Sequence, residues 1–210
     1  MVAERMNGYF ITGTDTGVGK TLASAVLTYV LKGCYWKPIE SGIADEEPSV
    51  SQVQQLTEFP PEHFYPSSYL LKASLAPAEA AALEGVSINI DHCELPKTNK
   101  TMIVEGAGGI YVPLNEKETM LDLIRKLALP VIIVARGTLG TINHTLLTIE
   151  GLRQNNLPIH GVVFSGELNP ANQKAIEKWG QVRTLFHMPL FDRIDAPTIQ
   201  RWIYEYTFAT

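Results

Sequence analysis

The chain has 210 residues, enough for one sizeable core and short of two ordinary domains, so a single domain over 1–210 is expected. Hydrophobic residues make up 45% and charged residues 19%, a balance that excludes a disordered chain and suits a soluble globular enzyme. The formal net charge is −5 and no stretch is concentrated in lysine or arginine, which argues against nucleic acid and against an anionic membrane as partners.

The first residues, Met-Val-Ala-Glu-Arg-Met, contain no apolar signal core, and no apolar run reaches transmembrane length. Cys34 and Cys93 have no metal-ligand spacing around them; both read as buried free thiols in a reducing compartment, and a cytoplasmic location is expected. Tyr9 to Thr12 is a short β-prone run. Gly13 to Gly19 is a loop of small residues, and Lys20 onward is a helix pattern. Strand, glycine loop and Gly19-Lys20-Thr21 at a helix start form the context of a phosphate-binding loop. Glycines let backbone N–H groups converge on phosphate oxygens, and the helix start adds unpaired N–H groups and partial positive charge. Lys20 is placed to neutralise β- and γ-phosphate oxygens of ATP, and the Thr21 hydroxyl to ligate Mg²⁺. Thr14 stands where the strict motif has its first glycine, with Gly13 one residue early. Asp15 in this loop needs no role beyond turn formation.

Lys32-Gly33 is expected to close the first helix with a C-cap glycine. Cys34 to Lys37 reads as a strand stopped by Pro38, and Ile39 to Ser51 as a loop carrying the acidic trio Asp45-Glu46-Glu47. Val50 to Leu56 is a short helix, residues 59–76 are mostly irregular, and Pro77 to Leu83 is a helix with proline in its first turn. Strands follow at Thr101–Glu105, Pro130–Ala135, His160–Phe164 and Val182–Phe186. Helices follow at Met120–Leu127, Thr141–Gln154, Ala171–Trp179 and Thr198–Tyr206. Pro130 to Ala135 is continuously apolar, the mark of a strand buried on both faces. This alternation predicts an α/β fold: a single-domain P-loop NTPase-like sheet, mostly parallel, with helices on both faces. Ligands gather at the carboxyl ends of such strands, where Lys20, Lys37, Glu105 and Arg136 all fall.

Lys37 is either a rim lysine in water or a fixed ammonium for a carboxylate-like or phosphoryl oxygen, with the Ser41 hydroxyl beside it. Glu105, before the glycine turn Gly106-Ala107-Gly108-Gly109, is either a turn carboxylate or an Mg²⁺ ligand. Thr141 or Asn143 can cap the helix that follows Leu139-Gly140; alternatively this helix start holds a carboxylate. His144 reads as a surface or satisfied histidine.

Four segments in order, Gly13–Thr21, Lys37-Pro-Ile-Glu-Ser-Gly42, Glu105–Gly109 with Val112-Pro113-Leu114, and Leu139–His144, give the chain a resemblance to the dethiobiotin synthetases, which share their P-loop class with the MinD-type ATPases. The family's loop is one residue longer than the strict motif, which accounts for Thr14. The resemblance implies an ATP-, Mg²⁺- and CO₂-dependent ring closure on 7,8-diaminopelargonic acid. It further implies catalytic roles for Lys37, Lys20 and Thr16. It places nucleotide contacts at Gly17, Val18, Gly19, Lys20, Thr21 and Leu22, at Glu105, Gly106, Ala107 and Gly108, at Ser165 and Gly166, and at Pro189, Leu190 and Phe191. Metal ligation falls to Thr21 and Glu105, and diamine contacts to Ser41, Gly108, Gly140 and Asn143, the last two from the second subunit of a homodimer. Three departures accompany the resemblance. The family's aspartate at the start of the helix after the Lys-Pro loop is missing from Pro48-Ser-Val-Ser-Gln-Val, with Asp45, Glu46, Glu47 or water as substitutes; Ser165 replaces a base-reading asparagine; and the ribose-binding acid past Pro189-Leu-Phe191 has no clear counterpart, Asp195 being a candidate. A nucleotide-switched ATPase of the MinD/ParA type is the competing reading; residues 13–18 lack its second lysine, and the tail has one basic residue, Arg201. A cobyrinate-type amidoligase would need a glutaminase domain for which 210 residues leave no room.

Overall fold

The computed structural model describes residues 7–167 and 169–209; the segment 1–6, on which the expectation of no signal peptide rests, lies outside them. In chain order the elements are β1 (Gly8–Gly13), α1 (Lys20–Val30), β2 (Cys34–Trp36), β3 (Ile39–Ser41), α2 (Ser49–Thr57), β4 (Phe64–Tyr65), β5 (Tyr69–Leu71) and α3 (Pro77–Leu83). They continue with β6 (Met102–Glu105), α4 (Met120–Leu127), β7 (Val131–Arg136), α5 (Thr141–Gln154), β8 (Ile159–Ser165), α6 (Pro170–Gly180), β9 (Thr184–Met188) and α7 (Ala196–Ala209). Seven strands form one sheet in the order β4-β2-β6-β1-β7-β8-β9, and all its pairings are parallel. Every carboxyl end therefore opens on one edge, which sets Lys37 after β2, Glu105 on β6 and the glycine loop after β1 side by side.

Alternate side chains of each strand enter opposite layers. Phe10, Val104 and Ile133 pack on one face with Ala80 of α3, Leu123 of α4, Leu152 of α5 and Ile176 of α6. Ile11, Val134 and Val163 pack on the other with Val26 of α1, Val53 of α2 and Ile199 of α7. Both faces are thus covered, which is why β7 needs five consecutive buried residues before Arg136. α4 starts at a capping box in which Thr119 N–H donates to the Asp122 carboxylate at 2.8 Å. Both cysteines are buried and free. No helix among the described residues is long and apolar enough to cross a membrane.

Three local expectations change. The stretch read as an irregular loop after Pro38 contains β3, which pairs in parallel with β5 as a separate two-stranded sheet. The stretch 59–76 contributes both β5 and β4, the latter extending the main sheet at its edge beside β2. These strands are two or three residues long, too short to show a period of two. At the end of α1 the left-handed residue is Lys32, with φ 48°, and not Gly33. Gly33 is required for a different reason: a β-carbon there would lie 2.5 Å from the Thr101 carbonyl oxygen.

Candidate active site

β1 ends at Gly13, and the chain turns through Gly17 (φ 68°) and Gly19 (φ 92°) before α1 begins at Lys20. Both glycines use left-handed backbone, which directs successive N–H groups to the inside of the loop. The loop is tied to neighbouring strand ends by Thr14 N–H to the Val134 carbonyl at 3.0 Å and Gly13 N–H to the Gly108 carbonyl at 3.3 Å. Lys20 is buried and folds back to donate from Nζ to the Asp15 carbonyl at 3.0 Å. Burial pushes its pKa down to about 8, against the pull of Glu105, with the nearby Lys37 charge lowering it further. Asp15 is not only a turn residue: its carboxylate pairs with Arg136, at the end of β7, on the outside of the loop.

Beneath the loop, Glu105 is 1% exposed and accepts three groups. Thr21 Oγ1 donates to its Oε1 at 3.0 Å, Tyr35 OH to its Oε2 at 2.9 Å, and Lys37 Nζ lies 3.2 Å from Oε1. Lys37 also lies 3.2 Å from Glu40 Oε1 and donates to Ser49 Oγ at 2.7 Å. Burial works against the Lys37 charge, but Glu105 and Glu40 outweigh it, so the ammonium is held above its ordinary pKa. Burial, then the Glu105 charge, raises the Tyr35 phenol well above its ordinary value, keeping it a neutral donor. Lys37 is therefore an ammonium fixed between two carboxylates and not a rim lysine in water.

Lys20, Thr21, Lys37, Glu40, Ser49 and Glu105 line an open cleft of about 750 Å³ that also takes in Thr16, Gly17, Leu22, Ser41 and Gly108, with Tyr35 buried behind it. Gly108 has φ 64°, and a β-carbon on it would strike Val112 at 2.7 Å. Ser41 Oγ donates to the Leu75 carbonyl at 2.7 Å, which fixes it at the wall. Val18 is buried under the loop, and Gly106 lies so close to the Phe10 ring (2.8 Å from a β-carbon) that it serves packing behind the site. Ser165 and Gly166, at the end of β8, lie outside that cleft but against the loop: a β-carbon on Gly19 would meet Ser165 Oγ at 2.7 Å. Pro189, Leu190 and Phe191 follow β9 on the same side, with Leu190 72% exposed. Asp195 caps α7, accepting from Thr198 N–H at 3.0 Å, and pairs with Arg193.

Gly140 and Asn143 do not join the cleft. They lie with fully exposed Leu139 at the start of α5, on open surface. The acidic trio is exposed: Asp45 accepts from Ser74 Oγ at 2.6 Å and Glu47 from Gln55 at 2.7 Å, while Glu46 and Glu47 line the outer cleft. Sequence reading missed Glu40, Ser49 and Tyr35. Glu40 sits in the quoted segment Lys37–Gly42, but its burial depends on β3, which that reading treated as loop.

A parallel sheet with a glycine loop and Gly-Lys-Thr helix start at its carboxyl edge defines a P-loop nucleotide-binding protein. The profile of the AAA domain family matches residues 7–198. An ATP-dependent dethiobiotin synthetase of Paramagnetospirillum magneticum is 46% identical over 92% of this chain and 93% of its own length. One from Rhodopseudomonas palustris is 40% identical over 90% and 89%. A biotin biosynthesis bifunctional protein of Bordetella avium is 47% identical over 93% of the chain, which spans only 42% of that larger protein. The chain belongs to the ATP-dependent dethiobiotin synthetase family, and is an ATP-using ligase of biotin biosynthesis. A ParA family ATPase of Chlorobium tepidum (TM-score 0.58, 11% identity, 94% of this chain and 97% of that one) and the cell division ATPase MinD of Pyrococcus furiosus (TM-score 0.54, 14% identity, 98% and 100%) share its fold alone.

Proposed function

We propose that the cleft binds ATP with Mg²⁺, together with 7,8-diaminopelargonate and CO₂, and closes the ureido ring of dethiobiotin. One amine adds to CO₂ and loses a proton, giving a carbamate. A carbamate oxygen attacks the γ-phosphorus and ADP leaves. The second amine then attacks the carbonyl carbon of the mixed anhydride, loses a proton, and phosphate is expelled. No protein nucleophile is required, so the chain's work is positioning and charge neutralisation.

The observation that carries this reading is the convergence of two lysines, Lys20 and Lys37, on a carboxylate that also faces Thr21. Lys20 and Thr16 serve the phosphates. Lys37 holds the carbamate and meets the charge that develops on the transferred group. Thr21 and Glu105 are the hydroxyl and carboxylate suited to Mg²⁺, with water and phosphate oxygens completing its shell. When bound, Mg²⁺ draws charge from the transferring phosphoryl group. The turn at Gly108 lets the diamine approach the backbone, and Ser41 contacts it. Ser165, Gly166 and Pro189–Phe191 flank the base. Gly140 and Asn143, exposed at a helix start, receive the substrate carboxylate of the partner subunit in a homodimer.

The test is direct. Purified protein with ATP, Mg²⁺, bicarbonate and 7,8-diaminopelargonate is assayed for phosphate and dethiobiotin. Equimolar products dependent on the diamine support the reading. ATP turnover indifferent to the diamine but stimulated by a protein or by lipid vesicles would instead favour a nucleotide switch.

A further inference from the structure

Glu40 is the one buried carboxylate of the cleft that the reading above leaves without a task. It is 5% exposed. Its Oε1 is saturated, accepting Ser49 Oγ at 2.5 Å, Ser49 N–H at 2.8 Å and the Lys37 ammonium at 3.2 Å. Its Oε2 is buried with no hydrogen-bond partner. A buried carboxylate oxygen is normally paired or bound to a cation. The same Lys37 ammonium bridges Glu40 and Glu105, at 3.2 Å from each. Lys20 and Lys37 together balance Glu105, which faces Thr21 at the first turn of the phosphate-loop helix, but neither lysine reaches Glu40 Oε2, and that oxygen is left open for a cation other than an ammonium. An arrangement of this kind suits a second cation.

Where that carboxylate sits in the chain matters. α2 opens at Ser49, a residue that cannot supply charge, and Glu40 reaches this opening from β3. The Ser49 hydroxyl and N–H both point at Glu40, so the negative charge of this corner is delivered from the strand and held at the helix start. β3 is fixed by its pairing with β5, Glu40 standing opposite Leu70, which keeps the carboxylate from swinging into water.

We propose that Glu40 is the second carboxylate of the divalent-cation site, acting with Glu105 and Thr21 on the cation that accompanies ATP. This rests on the reading of the cleft as an ATP site. Among the described residues no three acidic, histidine or cysteine side chains cluster as a self-sufficient metal site. A cation held by two carboxylates and a hydroxyl, with phosphate oxygens and water, is the arrangement expected for Mg²⁺. When the cation takes up Glu105, Glu40 and Ser49 still hold Lys37, so the lysine stays at the cleft instead of being released.

The test is Mn²⁺ binding, followed by electron paramagnetic resonance in the presence of a non-hydrolysable ATP analogue. Glu40→Gln is expected to weaken Mn²⁺ by about tenfold or more, as loss of a site carboxylate does. Affinity for the analogue in EDTA should stay within about twofold, since nucleotide contacts made without metal do not pass through residue 40. Because the Ser49 side chain lies at hydrogen-bond distance from Glu40, a carboxylate placed on α2 reaches the same space. The double variant Glu40→Gln/Ser49→Asp should therefore recover most of the Mn²⁺ affinity. Should Glu40→Gln fail to fold, electron–nuclear double resonance on the wild-type chain labelled with ¹³C at the glutamate carboxylates decides the matter: two coupled carboxylates are expected, and a single one overturns the inference. Unchanged Mn²⁺ affinity in folded Glu40→Gln overturns it equally, while leaving the ATP reading intact. A wild-type chain that binds neither the analogue in EDTA nor Mn²⁺ with it overturns the ATP reading and this inference together.

Discussion

Thr21 Oγ1 donates to Glu105 Oε1 at 3.0 Å, joining the first turn of α1 to the end of β6 across 84 residues of sequence. The same carboxylate receives Tyr35 from β2 and Lys37 from just beyond it. Glu105→Gln keeps the shape but removes the charge against which three groups are set. We expect turnover to fall by about a hundredfold or more, in line with loss of a group that organises transition-state charge. Stability should drop by about 1–3 kcal/mol, because hydrogen bonds to a charged group are lost in a buried setting. Steady-state kinetics and urea denaturation measure the two. Near-normal turnover would remove Glu105 from the chemistry.

Lys20 gives a prediction of opposite sign for stability and function. Its ammonium is buried and its pKa is lowered to about 8, so in the empty protein it opposes folding. Lys20→Met should raise the thermal midpoint of the empty protein and abolish the shift produced by ATP. The pH dependence follows from linkage. Below about pH 8 the lysine is charged in both the folded and unfolded chain, and the whole penalty is present. Between about 8 and lysine's ordinary value of 10.5 the folded protein gives up the proton first, so wild-type stability rises with pH relative to the variant. Melting curves of both proteins from neutral pH to pH 10 check it; a gap that widens with pH would contradict the burial of a charged lysine.

The two loop glycines should not respond alike. At Gly17, φ is 68° and an added β-carbon meets nothing within 4 Å. Gly17→Ala then costs only left-handed strain, about 1–2 kcal/mol. At Gly19, φ is 92° and the β-carbon would come within 2.7 Å of Ser165 Oγ, so Gly19→Ala adds a collision with the end of β8. We expect Gly19→Ala to be destabilised more than Gly17→Ala. Gly19→Ala/Ser165→Ala should recover most of the difference between the two single variants but not wild-type stability, since the backbone strain remains. Chemical denaturation of the three variants measures this.

Much of this architecture was legible because its signals are local. α4 carries a capping residue, Thr119, with Asp122 three positions on, and its span, like that of α5, agrees with the sequence pattern. β7 declares itself by uninterrupted apolar residues. The phosphate loop is legible for a related reason: its glycines, lysine and threonine act through backbone geometry that neighbouring residues impose. Glu40 was not legible. Nothing beside it marks burial; what buries it is the pairing of β3 with β5, thirty positions away in register, and the arrival of Ser49 at the head of α2. Lys32 is similar on a smaller scale, since its left-handed turn lies beside a glycine that invites the wrong assignment.

The surface at the start of α5 is apolar and open to solvent. Leu139 is completely exposed, Leu147 is 60% and Tyr111 59% exposed. Gly140 and Asn143 stand among them, outside the cleft that holds Lys37. If that surface meets a second copy and lends Asn143 to its substrate, two consequences are separable. Leu139→Arg, harmless to an isolated fold because the side chain touches nothing, should halve the mass seen by light scattering and raise the KM for the diamine. Lys37→Ala and Asn143→Ala, each impaired alone at low diamine concentration, should regain activity when mixed and allowed to exchange subunits. In a mixed twofold dimer one site carries both substitutions and the other carries neither, so about a quarter of all sites become intact after random exchange of equal amounts. Activity equal to the mean of the two separate variants would show that each chain completes its own site.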